Sequence, residues 1–339
     1  EGKLVSVPGL QEAYYGELDV ENLGLVSVAH LDTYAGMVFA TWAEDAPTLE
    51  AYLGNMRYYM DIWHNRREGA IGLLGPDKWI IPNNWKNSAD NFVGDMYHAV
   101  LSHRSAIVVM MKAKGVKTSV ISDYTRPGNQ VSAGNGHGGF AAIYDKPQDQ
   151  IDALSFIADD VISEYTKSIQ DEILTRLGPS RAGRIGPEHS TLFPNLSWLP
   201  QGTMRIWHPR GPNHTEVWSY LFYDKAMPAN VLDSWRKECI KTFGPSGLLE
   251  QDDMDNWRNA TDAGRSTQAN KTRQLINMGV GHEHQNPDLP GTSVPNTYSE
   301  VNQRSFYVRW EQMMNATSWD DISVDPITAK FEGTAGMNN

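Results

Sequence analysis

Between Thr191 and Tyr223 three strand-like segments follow one another with only turns between them, and this grouping constrains the fold more than any other feature. Thr191-Leu-Phe, Thr203-Met-Arg-Ile-Trp207 and Glu216-Val-Trp-Ser-Tyr-Leu-Phe-Tyr223 are rich in β-branched and aromatic residues. Pro200-Gln-Gly and Pro209-Arg-Gly-Pro212 separate them, so they read as an antiparallel meander. Two further strands are read at Gly36–Trp42 and Lys78–Ile81. Helical patterns lie on both sides of the meander. Asp45-Ala-Pro47 opens one, followed by Leu49, Tyr52, Leu53, Met56, Met60 and Trp63 at helical spacing. A second covers Ser88 to His103. Ile151, Leu154, Ile157, Val161, Tyr165, Ile169, Ile173 and Leu177 form a long stripe that stops at Gly178-Pro179. A helix at 229–243 follows the meander. A last one starts near Thr297, where Thr297-x-x-Glu300 matches a capping box, and turns Phe306, Trp310 and Met313 inward. Grouped strands flanked by helices predict an α+β domain rather than alternating α/β.

Composition narrows the function. The chain has 339 residues and a formal net charge of -12, from 29 Lys+Arg and 41 Asp+Glu. A chain so acidic lacks the basic face that nucleic acid requires. The most apolar stretch, Ala106 to Met111, is far too short for a membrane span. No targeting segment is visible, and the reading is a cytoplasmic protein. The single cysteine, Cys239, excludes a disulfide framework and an all-cysteine metal site. It sits among apolar helix positions and reads as a small buried side chain.

The segment Asn91-Phe-Val-Gly-Asp-Met-Tyr-His98, with His103 after it, is the richest in chemistry. Asn91, Asp95 and His98 share one face of a helix, whereas His103 lies well round from His98. The two imidazoles converge only if the helix bends or ends between them. On spacing alone, one core and one surface histidine is the simpler arrangement. Glu250-Gln-Asp-Asp253-Met-Asp255 supplies acids, but without the sixth-position glycine of a calcium loop. One of its carboxylates with His98 and His103 would make the two-histidine, one-carboxylate set of non-haem Fe(II) oxygenases. Such a set leaves one face of the ion open and a net charge of about +1 on the site. Two other motifs carry less. Gly134-Asn-Gly-His-Gly-Gly139 matches a dinucleotide fingerprint by count but lacks its βαβ context. His282-Glu-His284 lies in a Gly/Pro-rich loop and reads as exposed.

The motifs together resemble the Rieske-type aromatic-ring-hydroxylating dioxygenases, large (α) subunit, in the naphthalene and biphenyl branch. The resemblance is carried by Asn84-Trp-Lys86, Ala89-Asp-Asn-Phe-Val-Gly-Asp95-Met-Tyr-His98 and His103. Tyr34-Ala-Gly-Met-Val-Phe-Ala-Thr-Trp42, Leu49-Glu-Ala-Tyr-Leu-Gly54, Arg205-Ile-Trp-His-Pro-Arg-Gly-Pro212 and Thr242-Phe-Gly244 with Glu250-Gln-Asp-Asp253 occur in order with them. The likeness spans roughly residues 30 to 320.

The resemblance implies a helix-grip (START/TBP-like) domain, with a large antiparallel sheet covered by helices. It implies that His98, His103 and Asp253 bind a mononuclear Fe(II). Asp95 matches the acid linking this iron to the cluster of a neighbouring subunit, its carboxylate accepting from the distal nitrogen of His98. Asn91 matches a polar residue close to the iron, and Glu250, Asp252 and Asp255 are then supporting or structural. Phe92, Val93, Met96, Ala99, Phe243, Leu248 and Leu249 flank these positions and are expected to line an apolar slot for a planar substrate; core packing is the alternative for each.

The implied activity is addition of both atoms of O2 to an aromatic hydrocarbon, giving a cis-dihydrodiol. NADH would supply electrons through a reductase, a ferredoxin and a [2Fe-2S] Rieske cluster, and a small β subunit would complete an α3β3 assembly. A Rieske cluster needs two cysteines, so the cluster belongs to the full-length chain. On this reading 1–30 is a remnant following the missing Rieske domain, 31–322 is the catalytic domain and 323–339 is a C-terminal tail, frayed from Gly333. The fragment is expected to be inactive alone. Three alternatives remain: a Rieske-type monooxygenase or demethylase, a dioxygenase for a carboxylated ring held by Arg126, and a non-catalytic helix-grip module for apolar ligands.

Overall fold

A computed structural model describes residues 2–115, 128–149 and 159–334. Arg126 and the stripe residues Ile151, Leu154 and Ile157 lie outside them. Among the described residues the main sheet has nine antiparallel strands. In chain order the strands are β1 (His30–Tyr34), β2 (Met37–Thr41), β3 (Ile71–Ile81), β4 (Gly128–Gly134), β5 (His137–Ile143), β6 (Ile185–Leu192), β7 (Leu196–Trp198), β8 (Thr203–Pro209), β9 (Thr215–Asp224), β10 (His284–Asn286) and β11 (Leu289–Val294). Across the main sheet the order is β10-β11-β4-β5-β6-β7-β8-β9-β3, and β1 with β2 forms a separate hairpin. The expected meander is therefore present, with β6 to β9 making four strands rather than three.

Local chemistry explains the joints. The glycine-rich motif at 134–139 is the β4–β5 hairpin, where Asn135 and Gly136 both take positive φ, as a two-residue turn of this kind requires. That excludes a phosphate-binding loop between strand and helix. The helix expected from Asp45 starts at Leu49, where the Thr48 side chain accepts from Ala51 N–H. It breaks at Gly54 and resumes as Met56–His64. The long stripe divides into Asp160–Ser168 and Gln170–Arg181, the latter kinked at Gly178. The helix expected at 229–243 is Ala229–Phe243.

The last helix, Val301–Asn315, corrects one expectation. No capping box forms at its start, because the Glu300 carboxylate accepts instead from Met278 N–H at 2.9 Å. Phe306 is fully buried, whereas Met313 is exposed at the far end. This helix packs across β4 and β5, beside the helix Trp85–Gly94 that lies on β5 and β6. The contact is close at Gly94, where a Cβ would lie 1.6 Å from the Asn302 side-chain nitrogen.

The segment read as a tail from 323 is a strap as far as Thr334. Asn55 accepts from Thr328 and Ala329 N–H at 2.6 and 2.8 Å and donates to the Pro326 carbonyl. Arg309 donates to the Ser323 carbonyl at 2.8 Å, and Arg181 to that of Glu332 at 2.7 Å. Buried side chains thus satisfy the backbone of this stretch, which composition alone did not reveal. Among the described residues no helix is long and apolar enough to cross a membrane.

His64 is buried edge-on against Trp198 and Phe222, and among the described residues neither ring nitrogen has a hydrogen-bond partner. Burial, reinforced by Arg66, pushes its pKa down to about 3. Unfolding would return it to about 6.5, so the unfolded chain binds the extra proton below that pH. The stability held by the neutral ring is complete above pH 6.5 and is lost as pH falls from there toward 3. We predict that His64→Phe loses less stability than the parent between pH 7 and pH 5, by roughly 1–2 kcal/mol in denaturant unfolding. Equal losses in the two proteins would contradict the buried neutral imidazole.

Candidate metal centre

The helix read as continuous from Ser88 to His103 is interrupted. Trp85–Gly94 ends at Asp95, whose ψ of 63° is not helical. A single turn, Met96–His98, follows, capped by the Asp95 carboxylate accepting His98 N–H at 3.2 Å. Ala99–Ser102 continues to His103, which begins the helix Arg104–Ala113. This interruption lets two histidines five residues apart face one point. Asp253 arrives from the first turn of the helix Glu250–Gly264.

The three donor atoms form a nearly equilateral triangle. His98 Nε2 lies 3.1 Å from His103 Nε2 and 3.3 Å from Asp253 Oδ1, and His103 Nε2 lies 3.2 Å from the same oxygen. Three ligands about 2.1 Å from one ion, roughly 90–110° apart, stand about 3.0–3.4 Å from each other. His103 and Asp253 are buried at 5% and 3% exposure, and His98 is largely covered.

Their outer partners set the protonation. His98 Nδ1 faces the Asp95 carbonyl oxygen, which can only accept. His103 Nδ1 lies 3.1 Å from Asp252 Oδ2. Each imidazole therefore carries its proton on Nδ1 and presents an Nε2 lone pair inward. Two lone pairs and a carboxylate then converge, and only a cation reconciles them. Burial lowers the His98 pKa, but the Asp253 and Asp95 carboxylates reverse this and hold it well above its ordinary value. Burial likewise raises Asp253, yet the adjoining His103 and His98 rings outweigh it and hold the carboxyl well below the usual range. A divalent ion fits the same donors with both imidazoles neutral, and the residues present thus suit a mononuclear metal.

Among the described residues this is the only group of three or more His, Cys, Asp or Glu side chains that could hold a metal ion. Asp95 serves the cluster differently from expectation. Its carbonyl oxygen, not its carboxylate, meets His98 Nδ1; the carboxylate stands 3.7 Å away because it is engaged by the backbone N–H. Asn91 Nδ2 lies 3.4 Å from Asp95 Oδ2 and 3.2 Å from His98 Nδ1. Asp255 is exposed and bonds Arg258 and Asn259. His282 and His284 are exposed, and Cys239 is buried with its thiol pushed up to about 11 by burial.

The flanking apolar residues separate into three environments. Met96 packs with Phe140 and Ala142, and Ala99 and Tyr144 lie against them. Phe92, Val93, Phe243 and Leu249 belong to a core cluster with Trp207 and Trp257. Leu248 is 42% exposed on the turn before the Asp253 helix. Sequence reasoning missed His189 on β6. Its Nδ1 donates to the Phe92 carbonyl at 3.2 Å, leaving a buried Nε2 with no partner among the described residues. Burial, then the charge of nearby His98, pushes its pKa down to about 4. No spacing rule ties a strand histidine to a helix motif ninety-one positions earlier (189 against 98); only the antiparallel placement of β6 under the helix does.

The class so defined is an α+β oxygenase domain built around a two-histidine, one-carboxylate cluster. Residues 49–316 match the family described as ring hydroxylating alpha subunit (catalytic domain). The chain is 36% identical to the biphenyl 2,3-dioxygenase subunit alpha of Rhodococcus jostii (strain RHA1), over 94% of this chain and 69% of that one. It is 34% identical to the benzene 1,2-dioxygenase subunit alpha of Pseudomonas putida, over 95% and 71%. A naphthalene 1,2-dioxygenase structure with indole bound in the active site superposes with a TM-score of 0.82 at 28% identity, covering 94% of this chain and 72% of that one. The chain belongs to the ring-hydroxylating dioxygenase α-subunit family and comprises its catalytic domain.

Asp252 gives a direct test of the outer partners. We predict that Asp252→Asn weakens Fe(II) binding about 10–100-fold, because His103 loses the carboxylate that faces its Nδ1 and orients the ring. Chelator competition measures this, and an unchanged Kd would show that the contact does not tune the ligand.

Proposed function

We propose that this chain binds one Fe(II) through His98, His103 and Asp253 and serves as the catalytic domain for cis-dihydroxylation of an aromatic hydrocarbon. The single observation that carries the reading is the triangle of Nε2, Nε2 and Oδ1 atoms at 3.1–3.3 Å. The substrate class rests on relatives named for biphenyl and benzene. Iron, when bound, supplies the one-electron chemistry that lets dioxygen react with an aromatic ring.

The chain's own residues prepare that chemistry. The Asp95 carbonyl and Asp252 carboxylate hold both Nδ1 protons outward, so both Nε2 atoms stay free to ligate. Asn91 steadies the Asp95 carboxylate. In this reading Met96 and Ala99, which pack with Phe140 and Ala142, present apolar side chains to the planar substrate. In this reading Phe92, Val93, Phe243 and Leu249 back the site from the core. With one cysteine, this chain holds no Rieske cluster. Turnover then requires the [2Fe-2S] domain, a ferredoxin, an NADH-dependent reductase and a small β subunit, in a cytoplasmic α3β3 assembly. We assign 31–322 to the iron domain, with the strap completing it.

In this reading Asp95 serves the electron-entry side of the metal centre. In the full α subunit reconstituted with its electron carriers and given biphenyl, naphthalene or benzene, we predict a cis-dihydrodiol as the product by mass spectrometry. Asp95→Ala is expected to retain iron and lose that product. A phenol or dealkylated product would favour the monooxygenase alternative, and unchanged yield in Asp95→Ala would remove the role given to Asp95.

A further inference from the structure

Arg205 is a fully buried guanidinium in the interior of β8. Its Nη1 lies 2.6 Å from Glu250 Oε2, and both side chains have 0% exposure. Its Nη2 donates to the Phe243 carbonyl at 2.6 Å, at the last residue of the helix Ala229–Phe243. Its charge lies over the rings of Trp79, Phe92, Trp207 and Phe243, at 5.5–5.8 Å from their centroids. One cation thus touches the end of one helix, the start of the next and, through Phe92, the helix bearing Asn91.

Glu250 and Asp253 are three residues apart in the first turn of Glu250–Gly264, so they lie on the same side of that helix. A buried guanidinium without an anion is strongly disfavoured, so Glu250 is held against Arg205. That contact fixes the rotation of the helix about its axis. A carboxylate about 5–6 Å from a helix axis moves about 1 Å when the helix turns by roughly 10°. Metal sites tolerate errors of about 0.5 Å. The connecting turn is itself short and bonded, with Leu248 and Leu249 N–H donating to the Lys241 and Thr242 carbonyls at 2.8 and 3.0 Å. The rotation set at Glu250 therefore passes to Asp253 with little slack.

We propose that Arg205, acting through Glu250, is a positioning residue that sets the angle at which Asp253 meets the metal. The inference rests on the metal reading of His98, His103 and Asp253. The test uses the full α subunit, with Fe(II) affinity from chelator competition and the EPR spectrum of the ferrous nitric oxide adduct as readouts. Glu250→Gln keeps the shape and removes the anion; Arg205→Lys keeps the charge and loses one of the two contacts. The proposal expects Fe(II) affinity to fall at least tenfold in folded Glu250→Gln, with a changed rhombicity of the EPR signal. Arg205→Lys is expected to retain more affinity than Arg205→Met. Should the Arg205 variants fail to fold, Glu250→Gln alone decides. Lower thermal stability with an unchanged Kd and an unchanged spectrum would overturn the proposal, leaving Arg205 purely a core residue. Failure of the parent protein to bind Fe(II) would instead overturn the metal reading itself.

Discussion

Two imidazole lone pairs and a carboxylate oxygen point at each other inside a low-dielectric domain, and the remaining architecture near them depends on that convergence. Left alone, three acceptors at 3.1–3.3 Å repel. A cation turns the repulsion into binding, and the outer hydrogen bonds ensure that the imidazoles offer nitrogen lone pairs rather than protons to it. The two histidines are not equivalent in this respect. His98 is backed by a neutral carbonyl and His103 by a carboxylate, so the electron donation of the two imidazoles is set separately.

The fold supplies the rigidity such a cluster needs. The helix Trp85–Gly94 is pressed on β5 and β6, and its carbonyls at Ala89 and Phe92 accept from Thr191 and His189 of β6. Gly94 allows the helix to end directly against Asn302, which is itself bonded to Gln130 on β4. The sheet therefore positions the end of the helix, and the interruption at Asp95 redirects the chain so that both histidines reach the same point. The acidic helix Glu250–Gly264 is held through Glu250 by Arg205 on β8.

Much of this was legible in the residues, and the exceptions have physical causes. Ordered motifs indicate the family, and that resemblance points to His98, His103 and Asp253 together. Turn residues located the meander, and periodicity located the helix Ala229–Phe243. The interruption at Asp95 was not visible, because periodicity registers which face is apolar and not where an aspartate caps a new turn. Which oxygen of Asp95 meets His98 depends on backbone placement, which side-chain chemistry does not encode. Leu248 reads like its neighbours yet is exposed, since a turn and a helix start present adjacent residues to opposite sides. The strap at 323–334 looks polar and structureless because its order comes from Asn55, Arg309 and Arg181, all distant in sequence.

The central claim is that one divalent iron belongs between these three side chains. Anomalous diffraction at the iron absorption edge, from crystals of the protein prepared anaerobically with Fe(II), tests it most directly. The account predicts a single iron peak at bonding distance from His98 Nε2, His103 Nε2 and Asp253 Oδ1. An iron peak elsewhere, or a refined structure in which these atoms remain paired only through protons in the presence of excess Fe(II), would contradict it.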